Sequence, residues 1–224
     1  MGMLLKILSF FLPWPLRRRL LNKIFKFEIH PNARIGLAWV FPGKLVMKSG
    51  ASIGHFTVAI HLDQITMGAH SGIGRGNWIT GLSTKCNNRH PHFSHQPDRI
   101  AALNLGEYAF ITKNHHIDCT NLITIGRFST IAGYSSQLLT HSIDLFENRQ
   151  HSAPIHIGEY TFIGTNSVLL GGCTLPPYSV LGAKSLLNKP FTEQWKLYGG
   201  VPAIMLSDLP KEAKYFSRTD GFVV

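Results

Sequence analysis

Cysteine is scarce in this chain: Cys86, Cys119 and Cys173 are three, widely spaced, with no CxxC pair. That argues against a disulfide framework and against a zinc knuckle, and fits reduced thiols in a cytosolic protein. Acidic residues are few as well, twelve against twenty-two Lys and Arg, which leaves a net charge of +10. Such an excess favours anionic partners, namely cofactor phosphates, anionic lipid or nucleic acid. No recognisable nucleic-acid module accompanies it, so nucleic acid is not expected as a partner. Long apolar runs are missing too. The longest uncharged piece near the N-terminus, Ile7 to Leu16, is ten residues, half of what a spanning helix needs. The Pro13-Trp14-Pro15 break and the lack of an A-x-A-like site argue against a cleavable signal peptide.

What is present is a globular composition, 44% hydrophobic and 15% charged, with 21 glycines that suggest short strands and turns. Residues 1–30 carry six basic side chains against Glu28 alone, a net charge of +5. After the proline break, Leu16, Leu20, Ile24 and Phe27 fall at helical spacing opposite Arg17, Arg18, Lys23 and Lys26. Trp14 with an Arg-rich polar face suits a helix lying on an anionic membrane surface through residues 1–28. The competing expectation is a helix that caps the end of the core.

The main signal is a period of six. Ile157, Ile163, Leu169, Leu175, Leu181 and Leu187 are spaced without exception, and Thr161, Ser167, Cys173, Ser179 and Ser185 follow four residues after the first five. The same rule picks out Ile35, Phe41, Met47, Ile53, Ala59 and Ile65. After two-residue slips it recurs at Met67, Ile73 and Ile79, at Leu105, Ile111 and Ile117, and at Ile125 and Ile131. An amphipathic helix would show 3.6, and a sustained hexad is the mark of a parallel β-helix. Each hexad is then one flat strand plus a corner, with its aliphatic residue inside. Three make a coil of eighteen residues, and about twenty hexads predict six or seven coils. The fold class expected is all-β: a parallel β-helix over 31–206, an amphipathic basic segment over 1–30 and a short tail over 207–224. Two insertions, about 82–104 and 142–155, interrupt it. Counting six hexads between them, from 105 to 137, predicts that both leave the same corner two coils apart.

The tandem hexads, the histidine in LLTHSID, the re-entry PIHIGEYTFIGTNSVLLGGCTL and the closing YGGVPAIML resemble the hexapeptide-repeat acyltransferases. The likeness covers about residues 30–206 and is closest to the sugar O-acetyltransferase branch. It implies a left-handed β-helix, a homotrimer with sites between neighbouring prisms, and acetyl-CoA as co-substrate with no metal. It places His141 as catalytic base, Thr165 and Ala183 along the pantetheine channel, and Asn188 and Lys189 near the cofactor. Where such sequences end G-V-P-A with Lys or Arg, this chain has Ile204, which leaves Lys184, Lys189 or Lys196 as candidate phosphate contacts.

Acyl transfer to a hydroxyl needs a base, and a neutral imidazole suits it. Asp144, Glu147 and Asp118 are the candidates to orient His141, the last from a neighbouring coil or chain. His115, His116 and His92 are expected on the acceptor side, and backbone N–H groups near Gly133 or Tyr134 are candidate oxyanion donors. The loop bearing His90, His92 and His95 lacks metal-ligand spacing. The function expected is acetyl transfer to a sugar hydroxyl of a surface polysaccharide or its lipid-linked precursor, in the cytoplasm and peripheral to the inner face of the membrane. The alternatives are a γ-type carbonic anhydrase-like zinc enzyme and a non-catalytic β-helix scaffold at the membrane.

Overall fold

A computed structural model describes residues 2–85, 92–221 and 223. The chain is a left-handed parallel β-helix of seven coils, each giving one strand to each of three sheets. The first face runs from Glu28–Ile29 to Thr174–Leu175. The second runs from Arg34–Ile35 to Val180–Leu181, and the third from Trp39–Phe41 to Leu186–Leu187. The six-residue aliphatics fill the prism: Ile111, Ile163, Leu169 and Leu187 are fully buried. The small residues line the corners inside, where hydroxyls close the turns, as when Ser167 Oγ donates to the Gly164 and Gly182 carbonyls at 3.0 and 3.2 Å. Cys119 and Cys173 are buried free thiols. Burial pushes the Cys173 thiol up to about 12.

Two corrections to the hexad count follow from packing. First-face strands turn two side chains inward, such as Leu45 with Met47 and Ile65 with Met67, so that repeat is twenty residues between Met47 and Met67. It returns to eighteen between Ile157 and Leu175. The two-residue slips are therefore longer strands, and Ala102–Leu105 and Ile155–Ile157 belong to the first face instead of the insertions. In the hexad expected from 137, Gln137 is exposed and Leu138 is the buried residue.

The insertions leave where the hexad count places them. Each follows a third-face strand, Trp78–Thr80 and Gln137–Leu139, and returns on the first face. Those strands flank His116–Asp118 in the sheet, so the insertions share one prism edge roughly 10 Å apart.

The first coil shows why the N-terminal segment is helical and basic. Through the stack, each coil's N–H groups donate to carbonyls of the next, as in Arg34 N to Ala51 O and Gly36 N to Ile53 O, at 2.9 and 2.8 Å. The first coil's own carbonyls consequently face no preceding coil. Helix α1 (Gly2–Ser9) leads to helix α2 (Trp14–Ile24), whose side chains supply mainly donors, with Asn22 Oδ1 accepting from the Ile29 N–H at 3.1 Å. Trp14 Nε1 donates to Ala33 O at 3.1 Å, Arg17 to Gly36 O and Ala38 O at 2.8 and 3.1 Å, and Arg18 to Ile29 O at 3.2 Å. Arg17, expected on a solvated polar face, is thus buried, and burial lowers its pKa. A buried charge is tolerated here because carbonyls receive it. α2 buries Arg17 and Leu21, while Leu16 and Ile24 stay exposed.

At the far end, Lys196–Gly200 extends the second face and pairs antiparallel with Ala203–Asp208. No helix among the described residues is long and apolar enough to cross a membrane.

Candidate functional site

The second insertion begins with a hairpin, His141–Asp144 against Arg149–Ser152, in which His141 opposes Ser152. Asp118 ends the third-face strand one coil earlier and lies opposite Leu139, so its carboxylate reaches the chain just beyond that strand. There the Nδ1–H of His141 donates to Asp118 Oδ2 at 2.6 Å. The backbone N–H groups of Thr140 and His141 donate to the same oxygen at 3.1 and 3.2 Å. Oδ1 receives the Thr120 N–H and hydroxyl at 3.1 and 2.6 Å. Burial alone would raise the Asp118 carboxyl, but the bonds from His141 and Thr120 outweigh it and hold it below its usual range.

A carboxylate so fixed favours the His141 tautomer with the proton on Nδ1, which leaves the Nε2 lone pair able to accept a proton. The bond to Asp118 also raises the His141 pKa against its partial burial and the charge of Arg99. Activity that needs neutral imidazole should therefore fall on acidification, with the limb above the ordinary histidine value of about 6.5. A rate profile with its acidic limb at or below that value would remove Asp118 from the mechanism.

Both insertions wall this imidazole. It opens onto a cavity of about 260 Å³ lined by Thr80, Gly81, Leu82, His92, Phe93 and Gln150, with Asp118 and Thr120 behind it. The Phe93 ring meets His141 edge-on at 6.3 Å, and the Arg99 guanidinium lies over Phe93 at 4.5 Å. The first insertion is tied at its base by the buried Asp63, which accepts from Ser83 Oγ at 2.6 Å and from Thr84 Oγ1 at 2.8 Å. It also accepts from Ala101 N at 3.0 Å. Gln96 links the first insertion to the second: its Nε2 donates to Ser152 O at 2.7 Å, and its Oε1 accepts from the Ser152 N–H and hydroxyl at 3.1 and 2.8 Å.

Of the residues singled out in the sequence, His141, Asp118 and His92 come together. Asp144 and Glu147 do not: the Asp144 carboxylate caps the hairpin turn through the N–H groups of Phe146 and Glu147. His115 is buried, with Nδ1 accepting from Ser136 N–H and Nε2 bonded to the Thr112 hydroxyl, and burial pushes its pKa down to about 4. It is a satisfied corner residue and offers nothing to an acceptor. His116 is exposed at the start of the third-face strand that Asp118 ends, on the opposite edge of that face.

Thr165 and Ala183 lie on that opposite edge, past the second-face strands Phe162–Ile163 and Val180–Leu181. Asn188 and Lys189 are exposed on the His141 edge, beyond Leu186–Leu187. The Tyr134 N–H is bonded to Thr165 Oγ1 at 3.1 Å and is not free as an oxyanion donor. Lys196 is paired with Glu193 and Asp208, which leaves Lys184 and Lys189 of the candidate phosphate contacts, and Ile204 is exposed. Among the described residues no group of three or more His, Cys, Asp or Glu is placed to hold a metal. Cys86 and His90 lie outside them. Thr120, Thr140, Phe93 and Gln96 were not legible as site residues. Only Thr120 carried a local signal, an Asp-x-Thr spacing suited to side-chain-to-backbone bonding.

No protein-family profile and no curated protein matches the chain. Solved structures do. A hexapeptide-repeat-containing acetyltransferase of Vibrio cholerae aligns at 32% identity over 49% of this chain, with a TM-score of 0.46, and the chain spans 64% of that protein's length. The Vibrio cholerae acetyltransferase complexed with acetyl coenzyme A aligns at 20% identity over 92% of this chain and 84% of that one, with a TM-score of 0.48. A putative acetyltransferase of Bacillus cereus aligns at 17% identity over 85% and 88%, with a TM-score of 0.50. The likeness to the Bacillus cereus structure is one of fold.

Proposed function

We propose that this hexapeptide-repeat protein is an acetyl-CoA-dependent acetyltransferase that acts on a sugar hydroxyl of a surface polysaccharide or its lipid-linked precursor. The observation that carries the reading is the Asp118–His141 pair, with Nε2 free in a pocket roofed by both insertions. In the reaction, Nε2 takes the proton of the attacking hydroxyl as its oxygen bonds to the thioester carbonyl carbon. The tetrahedral intermediate then expels the CoA sulfur, which leaves with the proton from the imidazolium. Asp118 holds the ring and favours its charged form, which develops only during the transfer.

The third face is flat, and its two edges carry Thr165 with Ala183 on one side and Asn188 with Lys189 on the other. In a homotrimer a second copy closes this face into a groove for the pantetheine arm, and His116 of one copy then faces the His141 edge of the next. Acetyl-CoA supplies the acetyl group in the cytoplasm.

Incubation of the purified chain with acetyl-labelled acetyl-CoA and a lipid-linked glycan fraction should move label into the glycan as an alkali-labile ester. Label that resists mild alkali would mean an amine acceptor. Stoichiometric zinc in an inactive preparation would favour the anhydrase-like alternative.

A further inference from the structure

The N-terminal cap seats Leu21 on the core yet leaves several large apolar side chains facing outward. α2 turns Arg17 inward to the first coil's carbonyls, and its apolar residues Leu16 and Ile24 are left exposed. α1 adds Leu4, Ile7 and Leu8, and the turn between the helices adds Phe11, which is 81% exposed. A core-facing helix buries its apolar stripe, so these side chains are surplus to the fold. So many large apolar side chains exposed within one short segment mark an interaction site.

We infer that this outer face of the cap docks on an anionic lipid bilayer, with α1 and α2 lying in its interface. The charge around the patch selects that occupant. Arg19, Lys23 and Lys26 are exposed beside it, and none forms an ion pair among the described residues. A second copy would bring two +5 segments together, whereas a bilayer with anionic head groups accepts both the apolar side chains and the basic rim. Arg17 and Arg18 stay committed to the first coil, so docking needs no rearrangement of the cap. Vesicle binding requires no acceptor and no imidazole, so its failure would leave the reading of His141 untouched.

The test is flotation of the full chain with vesicles of phosphatidylcholine and phosphatidylglycerol in equal parts, against phosphatidylcholine alone. The parent protein should float with the mixed vesicles. Phe11→Ser combined with Leu8→Gln, two exposed positions that leave the coil stack untouched, should weaken partitioning about tenfold or more. Arg19→Glu, Lys23→Glu and Lys26→Glu together should abolish the preference for anionic lipid. Flotation indifferent to both sets of changes overturns the proposal. So does a parent that never floats but forms larger assemblies which Phe11→Ser disperses, because the face would then be a self-contact.

Discussion

Replacing His141 with Ala should lower acetyl transfer by roughly 10²- to 10⁴-fold, the usual contribution of a positioned general base. The coil stack should survive, because the imidazole is half-exposed and packs none of the prism interior. The buried Asp118 loses one donor but keeps the Thr120 hydroxyl and the Thr120, Thr140 and His141 N–H groups. Affinity for acetyl-CoA should also hold, since a base that acts in the transition state adds little to ground-state binding. Loss of turnover with an unchanged acetyl-CoA affinity and an unchanged thermal transition is the expected pattern. Turnover within a few-fold of the parent would end the assignment of His141 as the base.

Asp118→Asn should come close to the same loss by a different route. The substitution preserves shape, yet an amide that donates to Nδ1 stabilises the other tautomer and leaves Nε2 protonated, unable to accept the hydroxyl proton. In a hydrolase triad the equivalent change lowers kcat by about 10⁴. Here a loss of 10²-fold or more is expected, with the residual acidic limb moved toward lower pH because the partner that raises the His141 pKa is gone. Asp118 also receives backbone N–H groups from two coils, and an amide nitrogen turned toward any of them leaves a buried donor unmatched. Stability should fall by about 1–3 kcal/mol. Measured on protein shown to be folded, a rate and pH limb identical to the parent would demote Asp118 to a structural tie.

The prism was legible in the sequence because its chemistry repeats. One inward aliphatic and one small corner residue per hexad leave a signal that long-range contacts cannot blur. The boundaries of the insertions were less legible. Leu103 and Ile155 read as insertion residues by the six-residue rule, but they are the second inward positions of first-face strands, and only pairing with Ile65 and Ile123 reveals it. The site shows the same division. His141 stands out by its place beside a break, but its partner was ambiguous along the chain. Asp144 and Glu147 are nearer in sequence, yet the hairpin carries them away, while Asp118 arrives from one coil below. Gln96 joins the two insertions through Ser152, 56 residues further along the chain, a contact with no local signature. Helix periodicity misled at Arg17, because the open carbonyl edge it fills belongs to the first coil and cannot be seen from the helix alone.

The coil stack also acts as a spacer. The cap lies on the first coil and His141 follows the fifth third-face strand, so four interstrand steps of about 4.8 Å separate them, roughly 20 Å in all. On the proposed docking, with the prism upright on the bilayer, the His141 pocket would stand above the head groups by that distance plus the roughly 10 Å thickness of the cap helices. On the proposed reading of the acceptor, a sugar attached directly to its lipid phosphate would fall short of the pocket, whereas one several units along the glycan would reach it. Inserting or deleting one coil between cap and hairpin would move the reach by a single strand spacing without touching His141. Under that proposal, the number of coils the chain winds before it breaks would set how far along a glycan the transfer occurs.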